Sequence, residues 1–187
     1  MTERAHSQVR EEVANLYASR EDFRRIFNED LNGLYQLSFL LTRDPQKAER
    51  CLVSGLEDCT KGNPVFREWA RSWAKRTIIQ NAIRELKPRP NHSNSPLPAN
   101  IFPDLDQLLR TPAEYFEIDA VLGLEDFERF VLVMSVLERY SEHECALLLG
   151  CSVREIREAR THGLKELMDS GHKVSPQHQI FLGEEVR

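Results

Sequence analysis

The chain has no apolar run approaching the ~18 residues that a membrane-spanning helix requires. Its four cysteines, Cys51, Cys59, Cys145 and Cys151, show neither Cys-x-x-Cys spacing nor the density of a disulfide framework. Reduced, mostly buried thiols are the expectation. There is no glycine-rich loop to cradle a phosphate, no cluster of metal-ligating side chains and no assignable triad. An enzyme, a cofactor, a bound metal and a small-molecule substrate are therefore not expected. The opening residues, MTERAHSQVREE, lack the apolar core of a secretory signal, so a cytoplasmic protein is expected. Strand-like alternation is missing throughout, which points to an all-α fold. At 187 residues and 41% hydrophobic, the chain can bury one good core or two small ones.

Charge of one sign is in slight excess, with 25 Lys and Arg against 30 Asp and Glu, a net of −5. Any nucleic-acid surface must then come from local segregation. From Arg67 to Lys87 there are six Lys/Arg and two Glu, a net of +4. From Asn100 to Phe130 there are eight Asp/Glu and two Arg, a net of −6. The two charges are gathered in different parts of the chain.

Helical spacing of apolar residues organises the first half. Residues 1–18 read as a helix with Val9, Val13, Leu16 and Tyr17 on one side. Ser19 caps a second, in which Phe23, Ile26, Phe27, Leu31, Leu34, Tyr35 and Leu41 keep one continuous stripe to residue 41. Thr42-Arg43-Asp44-Pro45 interrupts, with Pro45 suited to the first position of a third helix over 45–59. Lys61-Gly62-Asn63-Pro64 is a turn. Phe66 to Lys87 then reads as one basic helix, with Phe66, Trp69, Ala70 and Trp73 on a core-facing side. Arg67, Arg71 and Lys75 form a row on another side, with Arg76 and Arg84 adding to the cationic set.

Pro88 to Pro98, PRPNHSNSPLP, has linker composition. It divides the chain into a helical domain over 1–87, a linker over 88–112, a second helical domain over 113–170 and a tail over 171–187. The second domain should hold a helix over 113–122 and another through Leu124, Phe127, Val131, Met134 and Leu137. Tyr140 to Leu167 follows as two helices joined by a tight turn. Ser141 with Glu144 and Ser152 with Glu155 are two capping boxes, and Gly150 is suited to end the first helix in the left-handed conformation. Ala159 and Gly163 leave room for close packing between Ile156 and Leu164. Helix, short glycine-containing turn, helix is the pattern whose second member can enter a DNA major groove. It is equally the pattern of a plain αα-hairpin.

The two helical modules together resemble the small extracytoplasmic-function sigma factors of bacterial RNA polymerase, over about residues 20–87 and 120–168. Leu34-Tyr35, Leu37, Thr42, Asp44 and Ala48-Glu49 stand where the family has similar residues, and Trp69, Ala74 and Arg84 fit its Trp-Leu-x-x-Ile-Ala-x-Asn…Arg pattern. Glu128-Arg129, Tyr140-Ser141, Glu144, Ala146, Leu149-Gly150, Ser152, Ile156, Arg157 and Leu167 match its promoter-reading helix pair. The resemblance implies a transcription-initiation protein that binds promoter DNA and the RNA polymerase core, with an anti-sigma protein as a possible partner. It implies DNA contacts from Ser152, Arg154, Arg157, Arg160, His162 and Lys165 in the second module, and from Arg67, Arg71, Lys75, Arg76 and Arg84 in the first. Polymerase contact falls to Glu49, Arg50, Val53 and Ser54. At the last three of these the family carries Asp, Gln and Glu, and the Asn and Asp of its basic helix are here Arg76 and Gln80. From Ser152 to Leu167 four Lys/Arg stand against three Glu, a net of +1. These departures leave open a second expectation, a sigma-derived protein that acts through protein contacts without promoter recognition.

Overall fold

The computed structural model describes residues 16–90 and 118–171, which fall into two compact units that meet in the chain at Lys87 and Pro88. The described residues are helical, apart from turns and one isolated bridge between Tyr17 and Phe66. Most of the helix expected over 1–18, the linker beyond residue 90, the start of the helix expected at 113 and the tail lie outside the described residues.

In the first unit, α1 (Arg20–Glu29) begins where expected. The Ser19 hydroxyl accepts from the Asp22 amide at 3.1 Å, and the Asp22 carboxylate accepts from the Ser19 amide at 2.9 Å. The single helix expected to residue 41 is instead two, because α1 ends at Asp30 and α2 (Leu31–Thr42) starts anew. Asp30 has φ −115° and ψ 28°, which breaks the helical ladder for one residue. Beyond the break Leu34, Leu37 and Leu41 carry the apolar face on, whereas Leu31, expected on the same stripe, is 49% exposed. Phe23, Ile26 and Phe27 of α1 and Leu34, Leu37 and Leu41 of α2 are buried.

Asp44 caps α3 (Pro45–Lys61) by accepting from the Lys47 amide at 2.9 Å, with Pro45 in the first turn where its missing N–H costs nothing. The buried Ser38 hydroxyl donates to the Ala48 carbonyl at 2.8 Å and ties α2 to α3. The last helix of the unit, α4 (Ala70–Leu86), packs Ala70, Ala74, Ile78, Ile79 and Ala82 into the core. Gly55 of α3 allows this approach, since a Cβ there would stand 2.9 Å from Ile78 Cγ1. Thr77 and Asn81 supply the buried polar links: the Thr77 hydroxyl donates to the Ala74 carbonyl at 2.8 Å, and Asn81 donates to Asp58 at 2.9 Å.

The basic helix expected from Phe66 begins only at Ala70. Arg67–Trp69 is a single 3-10 turn that enters from extended backbone at Phe66. Tighter winding rotates Phe66 and Trp69 off the face of α4 that Ala70 and Ala74 bury. Trp69 is therefore 57% exposed rather than a core residue, and Trp73 is half-buried.

The second unit contains α5 (Ile118–Gly123), α6 (Asp126–Leu132), α7 (Glu142–Leu149) and α8 (Val153–Gly171). The helix expected through Leu137 changes at Val133 into a π turn over Val133–Leu137. Phe127, Phe130, Val131, Leu132, Val133 and Met134 form the core with Ile156, Leu164 and Leu167 of α8. Arg129 is fully buried, and its guanidinium donates to the Leu124 carbonyl at 2.8 Å and to Asp126 at 2.7 Å. Paired in this way, a buried cation fixes the start of α6 instead of opening it to water.

Candidate nucleic-acid interfaces

The α7–turn–α8 segment is built by its caps. The Ser141 hydroxyl accepts from the Glu144 amide at 3.3 Å, while the Glu144 carboxylate accepts from the Ser141 amide at 2.9 Å. Ser152 and Glu155 repeat the arrangement at 3.2 Å and 2.7 Å. Between them Gly150 has φ 66° and ψ 39°, a left-handed conformation that most side chains resist. Cys145, Ala146, Leu149, Ile156 and Ala159 bury the inner sides of the two helices. Gly163 faces Leu132 so closely that a Cβ would come within 2.7 Å of Leu132 Cδ1.

The cations of α8 are not equivalent. Arg154 is exposed and donates to Glu158 one turn on at 2.8 Å; that bond keeps its guanidinium more firmly protonated than usual. Arg157 Nε donates to one oxygen of Glu142 at 2.6 Å, and Arg160 Nη2 donates to the other at 2.7 Å. Glu142, in the first turn of α7, thus clamps two arginines of α8. The Arg157 side chain remains 63% exposed, whereas that of Arg160 is only 15% exposed. Arg160 is a strut between helices rather than a reading residue. His162 also points inward: its Nδ1 stands 2.7 Å from the buried Glu128 carboxylate of α6. Ser152 is exposed but is used as a cap, and Lys165 is half-buried. Of the six residues expected to contact DNA here, Arg154 and Arg157 are the cations on the outer surface, with Glu158 beside them.

In the first unit the basic row is stitched to neighbouring helices. Arg67 reaches Asp22 at 3.3 Å, Arg71 pairs with Glu29 and Arg84 pairs with Asp58. Arg67 and Arg71 thus lie against α1, while Arg84 lies against α3, so the row divides between two sides. Lys75 and Arg76 are half-buried. Hydrogen bonds from the Ser19 amide and hydroxyl hold the Asp22 carboxyl below its ordinary range; Arg67 and Arg25 add to this, and partial burial opposes it.

Trp69 emerges beside Arg67 and Arg71 as an exposed aromatic. It meets the Phe66 ring edge-on at 5.1 Å, and Phe66 stacks on Tyr17 at 4.9 Å. Helical spacing places Trp69 in the core, but the 3-10 turn that follows extended backbone at Phe66 delays the helix to Ala70. At the expected polymerase contact, Glu49 and Arg50 are exposed, Val53 is 58% exposed and Ser54 is half-buried. Arg50 is tied to Glu85 of α4 at 2.7 Å.

Burial pushes the thiol of Cys59 up to about 11 and that of Cys145 up to about 12, which leaves both protonated at neutral pH. Among the described residues, no helix is long and apolar enough to cross a membrane. No protein-family model matches the chain, and no curated protein matches its sequence.

Proposed function

We propose that the protein is a sigma-like transcription-initiation factor, with its first unit engaging an opened strand and its second reading duplex promoter DNA. One observation carries this reading. Two capped helices meet at a left-handed Gly150 and leave Arg154 and Arg157 outward on the second helix. An exposed pair of cations on such a helix is suited to phosphates and base edges in a major groove. The exposed Trp69 between Arg67 and Arg71 supports the first-unit role, since bases stack on aromatic faces while cations hold the backbone.

A second reading, a sigma-derived protein that works through protein contacts alone, is favoured by a different observation. Glu142 and Glu158 already bind the cations of α8, and the solvent-exposed Val53 offers apolar surface where the resembling family carries a polar grip. Mixing the purified chain with bacterial RNA polymerase core and a promoter-length duplex separates the two readings. Co-elution with core, and retention of DNA by the complex, supports the initiation factor. Absence of both leaves the protein-contact reading.

A further inference from the structure

Glu128 of α6 is a carboxylate with an unfinished environment. Its side chain is 6% exposed, and its Oε2 has no hydrogen-bond partner. Oε1 lies 2.7 Å from Nδ1 of His162 as an ion-pair contact, and that buried nitrogen makes no regular hydrogen bond. One turn along α8, Glu166 brings a carboxylate oxygen to 3.8 Å from the same nitrogen. One donor atom from each of the three residues lies within 4.8 Å of the other two. Leaving buried polar atoms unpaired is costly, so this arrangement calls for a partner.

We propose that Glu128, His162 and Glu166 form a binding site for one divalent first-row transition-metal ion of the zinc type, which fastens α6 to α8. The donor set suits such an ion. Imidazole favours zinc, copper, iron and nickel over magnesium and calcium, and two carboxylates with a neutral imidazole offset a double positive charge. The spacing suits it as well. A tetrahedral ion with bonds of about 2.0–2.1 Å holds its donors roughly 3.3–3.4 Å apart. The separations from His162 of 2.7 and 3.8 Å lie on either side of that value, and all three donors lie within 4.8 Å of one another, so side-chain rotations would seat the ion. His162 and Glu166 are four residues apart and share one helical face, while Glu128 approaches from the facing helix. Three protein donors leave a fourth position for water, reached on the side of the half-exposed Glu166.

Burial already pushes the Glu128 carboxyl above its ordinary range; His162 opposes that shift and Glu166 adds to it. A dication would add a full countercharge beside this buried carboxylate.

The test uses the full chain stripped of metal by chelator and titrated calorimetrically with Zn2+ and, separately, with Co2+ followed by visible absorption. One equivalent of Zn2+ is expected, with a raised Tm, and Co2+ should give ligand-field bands without a thiolate charge-transfer band. Glu166→Gln, on the half-exposed side, should fold normally and lose at least about 10–100-fold in affinity, since even outer-shell changes cost that much. His162→Ala should abolish the Tm response. The inference is overturned if Zn2+ does not bind, if Glu166→Gln binds as tightly as the parent, or if thiolate bands assign the metal to the cysteines.

Discussion

Replacing Trp69 by alanine separates packing from recognition. A buried tryptophan cut to alanine costs about 3–5 kcal/mol, from lost burial and the cavity left behind. Trp69 is 57% exposed, so less than half of that term is available and no closed cavity forms. Its edge-on contact with Phe66 at 5.1 Å contributes roughly 0.5–1.5 kcal/mol within this total. The expected cost of Trp69→Ala is therefore about 1–2 kcal/mol, read as a modest shift of the urea midpoint with an unchanged slope.

Binding should respond differently. A base stacked on an aromatic face is worth about 1–3 kcal/mol, or roughly 5–150-fold in affinity. Fluorescence anisotropy with a labelled single-stranded oligonucleotide at low salt should show that loss for Trp69→Ala, while Trp69→Phe retains much of the affinity. The reasoning is refuted by the opposite split: a cost of 3–5 kcal/mol in stability with unaltered strand binding. That result would return Trp69 to a packing role and remove the stacking platform from the first unit.

The Glu142 clamp gives a second test: Glu142→Gln should tighten duplex binding and steepen the slope of log K against log salt by about 0.9, one phosphate equivalent, while an unchanged titration would remove α8 as a DNA reader. Asp22 has a folded pKa below its unfolded one, so it contributes stability above the unfolded value, near 3.8, that is lost as pH falls toward the folded value. Urea midpoints followed down through that window should fall more steeply for the parent than for Asp22→Asn, and parallel curves would contradict the assignment. Arg129→Ala removes a fully buried guanidinium from the Leu124 carbonyl and from Asp126, whose own side chain is 41% exposed, and should cost about 1–3 kcal/mol by thermal melting; a loss well under about 1 kcal/mol would mean that both partners are satisfied without it.

Local signals in the chain were legible because their partners are three or four residues away. The Ser19 cap, the Ser141–Glu144 and Ser152–Glu155 boxes and the left-handed Gly150 stand where their residue types placed them. The all-helical character followed from apolar spacing for the same reason. Spacing does not report the one-residue break at Asp30, beyond which Leu34, Leu37 and Leu41 carry the apolar face on. Nor does it report a change of winding, which is why the 3-10 turn over Arg67–Trp69 turned Trp69 outward against expectation. Contacts between distant residues were the least legible. Glu142 meets Arg157 and Arg160 across a turn, and Glu128 meets His162 across two helices; both pairings need the fold before they exist.

These long-range pairings decide how the charge count should be used. The formal +1 over Ser152–Leu167 treats four cations as equal, whereas Arg160 is a strut between helices and Lys165 is half-buried. Over the first four turns of α8 the exposed residues are Arg154, Arg157 and Glu158, with Glu142 reaching in from α7. A phosphate arriving at Arg157 must compete with a carboxylate 2.6 Å away, so its gain is the difference between two ion pairs rather than one whole pair. Exposed pairs of this kind contribute little in water, which makes the exchange feasible but shallow. Affinity from this helix alone should therefore be weak and strongly salt-dependent. Firm duplex binding would have to draw on contacts beyond α8, such as a polymerase that holds the DNA in place.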